Sequence, residues 1–425
     1  MNAQVPIVPP AEELGRSFGE QDERLFMSPS KIYYPETWFH YISGNVSENG
    51  ITADLEAIEK AGFSGIQLFH GHFTNEVWPG VDKPITCLSP LWNHAVNHTA
   101  RECDRLGLRF TMQNCPGWAM SGGPWIQPSN AMRHLVFSRT DLIGGSVISE
   151  LKLPLPQPST EDWRDYKDVT VLAFPTPQGD TNEPLKPLTV KSDREEFQWM
   201  DWLQGKNNAY VHFPPATKEN PHWVEVTFPE SVMLRTVEFP CIQAFNHGWC
   251  YEPGVYVTIQ AILPNDSIRN LLQTDLPQSN WQDDQLMTLA CPEVEGGTNK
   301  YRIEIVNKYD MVFNSFRLYS AARKNNWEAE AGWTLRSIER KGENPQQSST
   351  AFVQLDKIID ISEYMDAGGN LRWKAPVGKW TVLRIGNVNT GQRNGPAPPE
   401  GTGWECNKLS KSGAGIQFAN YIGKL

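Results

Sequence analysis

The chain has 425 residues, of which 39% are hydrophobic and 20% charged, a globular profile too long for one ordinary core, so two or three domains are expected. Its 38 Lys plus Arg stand against 49 Asp plus Glu, a formal net charge of -11, which argues against nucleic acid because phosphates select basic surfaces. A neutral or sparsely charged partner such as a glycan suits it better, and the 16 Trp, 12 Tyr and 18 Phe fit either sugar stacking or aromatic-filled cores.

Residues 1–30 are polar, carry Pro9-Pro10 and Gly15, and read as an arm. Met1 to Pro10 lacks the basic and apolar parts of a signal peptide, so the start fits a removed signal and a secreted, periplasmic or surface-held bacterial protein. No apolar run approaches the ~18–20 residues of a membrane span. From Lys31 the pattern changes: Ile32-Tyr33-Tyr34 and residues 38–42 are apolar runs of strand length. Ser43-Gly44-Asn45 and Asn49-Gly50 follow as turns. A helix is expected from Thr52 as N-cap, with Ile51, Leu55 and Ile58 at helical spacing and Ala61-Gly62 as its end. Residues 65–70 form a compact buried strand, followed by a long loop with His72, Trp78, Pro79 and Gly80. Pro90 opens a second helix whose apolar face is Trp92, Ala95, Thr99, Cys103 and Leu106, and Gly107 closes it. Residues 108–113 are the next strand.

Strand and helix alternating at this spacing mean right-handed βαβ units and a parallel sheet. A (β/α)8 barrel and a doubly wound sheet both begin this way. After about Ala131 short alternating strands take over, among them residues 169–174, 223–228, 255–259 and 301–306, which reads as a β-sandwich. Residues 350–390 continue in that style, with a strand at 379–385. A Gly/Pro-rich loop runs over 390–403, and 407–425 reads as a helix. The fold class is therefore α/β plus all-β: a barrel start at 31–139, a large β-sandwich insertion at 140–330, a further β-rich segment at 331–400, and a return to the barrel at 401–425. A fourth parallel strand is not in the chain, so the barrel is expected to be incomplete. The seven Cys, at 87, 103, 115, 241, 250, 291 and 406, show no CxxC pair and no zinc spacing. Cys103 reads as a small buried residue, and Cys241 and Cys250 could pair across a hairpin.

Function gathers at the C-terminal ends of parallel strands. The first such end holds His40 and Asn45, with structural burial and turn chemistry as the competing readings. The second holds Gln67, His70 and His72. Two His spaced by two in an extended segment point to one side, but zinc needs further ligands, so hydrogen bonding to sugar hydroxyls is the better reading. The third is Gln113-Asn114-Cys115-Pro116-Gly117-Trp118 followed by Ser121-Gly122-Gly123-Pro124-Trp125. Its glycines permit close backbone approach, and Trp118 and Trp125 could form a sugar platform or pack on the barrel rim. No phosphate-loop pattern surrounds Gly122-Gly123. Glu400 and Glu405 in the late loop are carboxyl groups of the kind glycosidases pair across a scissile bond, although carboxylates near a helix start are also simply favourable with its dipole.

These motifs resemble those of glycoside hydrolase family 106, the α-L-rhamnosidases. The resemblance rests on Trp38, Ser43-Gly44-Asn45-Val46, Gly50-Ile51-Thr52 and Asp54-Leu55, then Ala61-Gly62-Phe63-Ser64-Gly65-Ile66-Gln67-Leu68-Phe69 and Asp104-Arg105-Leu106-Gly107-Leu108. Its most specific stretch is Asn114-Cys115-Pro116-Gly117-Trp118 with Ser121-Gly122-Gly123-Pro124-Trp125-Ile126. Gly378-Lys379-Trp380-Thr381-Val382-Leu383-Arg384 and Gly403-Trp404-Glu405-Cys406-Asn407-Lys408-Leu409-Ser410 complete it. It implies a (β/α)8 catalytic domain with β-sandwich additions of the galactose-binding kind. It also implies exo-hydrolysis of α-L-rhamnosides in pectic or similar glycans by inversion, and a calcium ion that helps hold the sugar. The catalytic acid and base are expected on later strands, past Leu425, with Glu405 and Glu400 as the fallback pair. Substrate-side candidates are His40, Asn45, Gln67, His70, Asn114, Trp118, Trp125 and Glu405. The family pattern expects an acidic residue where Asn407 stands. A C-terminal continuation or a partner chain is expected to cover the open sheet edge. The alternative from another class is a non-catalytic carbohydrate-binding protein.

Overall fold

A computed structural model describes residues 15, 17–117, 121–157, 161–194, 198–203, 210–240, 242–244, 254–276, 286–313, 315–331 and 344–425. The chain forms two compact units. The first comprises Met1–Arg139, Leu153–Val171 and Leu383–Leu425, and the second Thr140–Lys152 and Leu172–Val382.

In the first unit, helix α1 (Glu20–Met27) buries none of its residues. Strands β1 (Glu36–Ile42), β2 (Gly65–Gly71) and β3 (Arg109–Met112) form a parallel sheet in that order. Helices α2 (Glu48–Lys60) and α3 (Pro90–Leu106) make the two crossovers. α3 starts where Ser89 Oγ accepts the Trp92 amide and Pro90 fills the first turn, and it stops where Gly107 adopts φ 62°, a left-handed conformation that favours glycine. Its buried face is Trp92, Ala95, Val96, Thr99 and Cys103. This face packs with Ile51 and Leu55 of α2, Tyr41 of β1, and Ile66 and Leu68 of β2. Tyr41 is fully buried, and its hydroxyl bonds Ala95 O at 3.0 Å and Thr99 Oγ1 at 2.6 Å, which satisfies the buried hydroxyls of both residues within a mainly apolar layer. The closing helix Lys411–Asn420 is capped by Ser410, and Tyr421 just beyond it joins the same core at 5.6 Å from the Trp92 ring.

Three readings of the sequence are corrected here. Residues Lys31–Tyr33 form a single 3-10 turn rather than a strand. Tyr33 and Tyr34 are exposed, and Pro35, which lacks an N–H, delays the ladder until Glu36. α2 begins at Glu48 and not near Thr52, because the Ser47 hydroxyl accepts the Gly50 amide and caps the helix earlier. Gly50 therefore lies in the first helical turn, so Asn49-Gly50 is not a separate turn. Among the described residues the parallel sheet has three strands and closes no barrel.

In the second unit a five-stranded antiparallel sheet runs in the order Ile268–Asp275, Val255–Ile262, Thr298–Asn307, His222–Val232 and Thr189–Ser192. A three-stranded sheet joins Met287–Ala290, Thr236–Phe239 and Arg317–Tyr319. Alternate residues of both sheets, among them Val224, Val226, Ile303, Ile305, Val237 and Leu289, enter one apolar core, as the two-residue side-chain period requires. Short helices Trp199–Leu203 and Trp327–Glu330 interrupt the strands. Cys87, Cys103, Cys115, Cys291 and Cys406 are buried free thiols, whereas the suggested Cys241–Cys250 pair lies outside the described residues. Among the described residues no helix is long and apolar enough to cross a membrane.

Candidate functional site

Past the end of β1 the chain turns through Ser43 and Gly44, both at positive φ. This turn anchors the loop that follows β2. Ser43 Oγ accepts the amides of Phe73 and Thr74, each at 3.1 Å, and the Ile85 amide donates to Gly44 O at 2.8 Å. Asn45, 7% exposed, donates to Ile42 O and Glu76 O and accepts the Trp78 amide at 2.9 Å. Its amide is thus engaged with backbone, and the loop is folded over the strand ends.

His70, next to last in β2, is 3% exposed, and its Nδ1 accepts the Trp92 indole N–H at 2.8 Å. That bond places the imidazole proton on Nε2. Burial, reinforced by neighbouring His72, pushes its pKa down to about 4, so the ring is neutral near pH 7. His70 lies in the wall of a cavity of about 230 Å³, together with Ser43, His72, Thr74, Asn75, Glu76, Pro84, Ile85, Thr86, Cys87, Pro398, Pro399 and Glu400. The volume falls below the roughly 300–1,000 Å³ of drug-sized ligand sites, which suits one small ring better than an extended chain. Its charged wall residues are Glu76 and Glu400, and neither Lys nor Arg is among the described residues lining it.

The loop bearing Glu400 is fixed by Asn394, 1% exposed, which donates to Pro116 O at 2.7 Å and Gly401 O at 2.8 Å and accepts the Gly403 amide at 2.7 Å. Gly117 N–H in turn donates to His70 O at 2.7 Å. Asn394 therefore ties three backbone segments around the cavity. Asn394→Ala is expected to destabilise the chain by about 2–4 kcal/mol, because it leaves two buried carbonyls and one buried amide unpaired. Urea denaturation monitored by Trp fluorescence checks this, and a loss below about 1 kcal/mol would show that water replaces the amide.

Other candidates take different places. Asn114 is exposed, and its Oδ1 accepts the Ser121 hydroxyl at 2.7 Å. The Asn114 carbonyl accepts Gln417 Nε2 at 2.7 Å, while Gln417 Oε1 accepts the Trp125 indole N–H at 2.9 Å. Trp125 also stacks on Tyr421 at 6.2 Å, so this ring packs against the core side of the loop. Trp118 lies outside the described residues. Strand β4 (Gly122–Gly123) pairs antiparallel with Trp404–Glu405, and Gly122 is required there because a Cβ would meet Trp404 O at 2.4 Å. Glu405 is buried and ion-paired with Lys408. Asn407 Oδ1 accepts the Leu409 amide at 3.1 Å, a turn closure.

His40 and Gln67 lie on the sheet face opposite Tyr41, Leu68 and His70, as strand alternation dictates. His40 packs against Trp38 and Phe69, each at 5.6 Å, and burial lowers its pKa. Gln67 donates to Glu36 Oε2 at 3.1 Å. The structure thus gathers His70, His72 and Glu400 in one cavity wall, ties Asn45 to the backbone of the adjoining loop, and sets His40 and Gln67 apart. Sequence reasoning missed Trp92 as the partner of His70, and missed Asn394 and Gln417 altogether. Only Asn394 carried a signal, its place within the Gly/Pro-rich loop. Among the described residues no three His, Cys, Asp or Glu side chains converge in a group that could hold a metal. The carboxylates present therefore give calcium, which takes six to eight oxygen ligands, no ready cage.

The solved rhamnosidase from Novosphingobium sp. PP1Y matches 94% of this chain with a TM-score of 0.67 at 24% identity, over 37% of its own chain. A curated relative from Formosa agariphila, named "Putative beta-glucuronidase", is 26% identical over 400 residues, 94% of this chain and 22% of the relative. The chain therefore spans well under half the length of either. The family model for glycoside hydrolase family 106, described as alpha-L-rhamnosidase, matches residues 27–425, and the chain belongs to that family.

Proposed function

We propose that this chain contributes the floor of the sugar site in an exo-acting α-L-rhamnosidase that cleaves pectic or similar glycans with inversion. The observation that carries this reading is the cavity at the ends of β1 and β2, whose charged wall residues are carboxylates. A terminal deoxy sugar is uncharged, and Glu76 and Glu400 can accept from its hydroxyls. A uronate there would face like charge without a compensating cation, which costs affinity. His70, with its proton on Nε2, acts as a hydroxyl donor. Glu400 acts as acceptor, and we assign neither Glu400 nor the paired Glu405 the proton transfers. Inversion requires an acid and a water-activating carboxylate on opposite sides of the bond, and these are expected from the remainder of the enzyme. Calcium enters no step through the described residues. A carbohydrate substrate met as polysaccharide fits export from a bacterial cytoplasm.

The test is release of p-nitrophenol from the α-L-rhamnoside and from the β-D-glucuronide. The 425-residue chain and a longer protein containing it are assayed side by side, with and without chelator. The expected result is activity of the longer protein on the rhamnoside alone, abolished by chelator if other residues hold calcium. Turnover of the glucuronide in preference would overturn the reading. Turnover by the 425-residue chain itself would return Glu400 and Glu405 to the acid and base roles. Saturable glycan binding without turnover by either protein would favour the carbohydrate-binding alternative.

A further inference from the structure

The two nitrogens of the buried His70 ring meet different surroundings. Nδ1 accepts the Trp92 indole N–H at 2.8 Å. Nε2 has no hydrogen-bond partner among the described residues. It is also not one of the polar atoms that are both unpartnered and sealed from solvent, as His134 Nε2 is. His70 lines the cavity, so Nε2 is the nitrogen that opens into it. Trp92 has little freedom on the other side. Its side chain is 1% exposed, and its ring stacks with His70 at 6.3 Å and meets Tyr421 at 5.6 Å. Tyr421 in turn stacks with Trp125, whose N–H is bonded to Gln417 Oε1 at 2.9 Å. The Trp92 backbone is fixed as well, because its amide donates to Ser89 Oγ at the start of α3. An indole nitrogen is a donor only, so Trp92 presents a proton to Nδ1 and never a lone pair. A proton on Nδ1 would set two N–H groups against each other and leave the buried indole without an acceptor, which disfavours that tautomer by about tenfold or more.

We propose that Trp92 is a positioning residue of the sugar site: by donating to His70 Nδ1 it holds His70 as an Nε2–H donor to an oxygen lone pair of the bound sugar. The role rests on the reading of the cavity as a sugar site. With one nitrogen protonated and the other bonded to Trp92, the ring has no free lone pair, so His70 is a binding group and not a general base. The division of labour suits a hydroxyl, which both donates and accepts. Glu76 and Glu400 in the same wall are acceptors, and His70 Nε2–H is the complementary donor.

The test reads the ring nitrogens of His70 by NMR of the chain at pH 7, with 15N-labelled histidine and tryptophan and assignment by His70→Gln. The wild-type ring is expected to show a protonated Nε2 and an unprotonated Nδ1, with a scalar coupling from Nδ1 to the Trp92 indole nitrogen. Trp92→Phe should abolish the coupling and draw the two ring shifts toward each other as the second tautomer becomes populated. Methyl α-L-rhamnoside is then titrated into a longer protein containing the chain. Trp92→Phe should weaken its binding about threefold to tenfold, the scale of one neutral hydrogen bond, and in turnover the loss should fall on KM more than on kcat. His70→Gln can accept from Trp92 through Oε1 and offer an amide N–H to the cavity, so it should lose less affinity than His70→Leu. In the His70→Leu background Trp92→Phe should weaken binding no further, which separates action through His70 from a general loosening of the core. If Trp92→Phe does not fold, the wild-type coupling and the comparison of His70→Gln with His70→Leu decide. A protonated Nδ1 in the wild-type chain, ring shifts that ignore Trp92→Phe, equal losses from Trp92→Phe with and without His70, or equal losses in His70→Gln and His70→Leu would each overturn the positioning role and leave the sugar site standing. Failure of the wild-type protein to bind the rhamnoside would instead overturn the sugar site and the role with it.

Discussion

Between pH 6.5 and pH 4 the chain is expected to lose roughly 3 kcal/mol of stability through His70 alone. The ring is buried and its pKa is pushed down to about 4, by desolvation first and by neighbouring His72 second. In the unfolded chain it titrates near the ordinary value of about 6.5. Between these values the unfolded state binds a proton that the folded state refuses, so stability falls as pH falls and levels off below about pH 4. Protonating Nδ1 would also set an N–H against the Trp92 indole N–H that it now accepts. His70→Gln is the informative variant, because it removes the titration and keeps an oxygen that can accept from Trp92. Urea denaturation of both proteins at pH 7, 5.5 and 4.5 gives the comparison. The wild-type chain should lose more stability than the variant across that range, and parallel pH curves would exclude a buried neutral ring. His40 and His134 are also lowered by burial. They remain in the variant, so the difference between the curves isolates His70.

The legible parts of the fold were those punctuated by local chemistry. Pro90 and Gly107 bracket α3, and its face of Trp92, Ala95, Thr99 and Cys103 is buried as the 3.6-residue period requires. The strand at 65–70 became β2, and the alternating run at 255–259 became Val255–Ile262. The start of α2 was misread because Thr52 and Ser47 are both good caps, and only the geometry of Ser47 Oγ on Gly50 N–H chooses between them. The candidate region was legible, since the ends of adjacent parallel strands lie on one side of the sheet and their loops meet there. Its partners were not. Trp92 lies 22 residues from His70, Gln417 lies 303 from Asn114, and Asn394 lies 278 from Pro116. Nothing local distinguishes Gln417 from any other helical glutamine. Asn45 shows the same limit from the other side: a turn residue expected to meet sugar instead bonds Glu76 O and the Trp78 amide. A side chain's donors and acceptors are shared out by tertiary contacts that periodicity does not carry.

Gly44→Ala is expected to cost about 3–5 kcal/mol, near the upper end for a single substitution, and to open the cavity. A Cβ at Gly44 would lie 2.2 Å from Ile85 O and 2.9 Å from Ile85 N. These are backbone atoms that no rotamer change can move aside. The backbone φ of +75° adds strain for any L side chain, of order 1 kcal/mol. Gly62 separates the two effects. Its φ is +88°, but nothing lies within 4 Å of a Cβ built there. Gly62→Ala should therefore cost only the conformational part, about 1 kcal/mol. The remainder at Gly44 belongs to the contact with Ile85, and relieving it means breaking the Ile85 N–H bond to Gly44 O. Residues 84–87 of the cavity wall then move with it. Urea denaturation gives the two stabilities, and hydrogen exchange of the Ile85 amide reports the loop directly. Faster exchange at Ile85 in Gly44→Ala, but not in Gly62→Ala, is the expected pattern. Equal losses in the two variants, with Ile85 unchanged in both, would mean that the strand end yields without disturbing the loop, and that this turn does not shape the cavity wall.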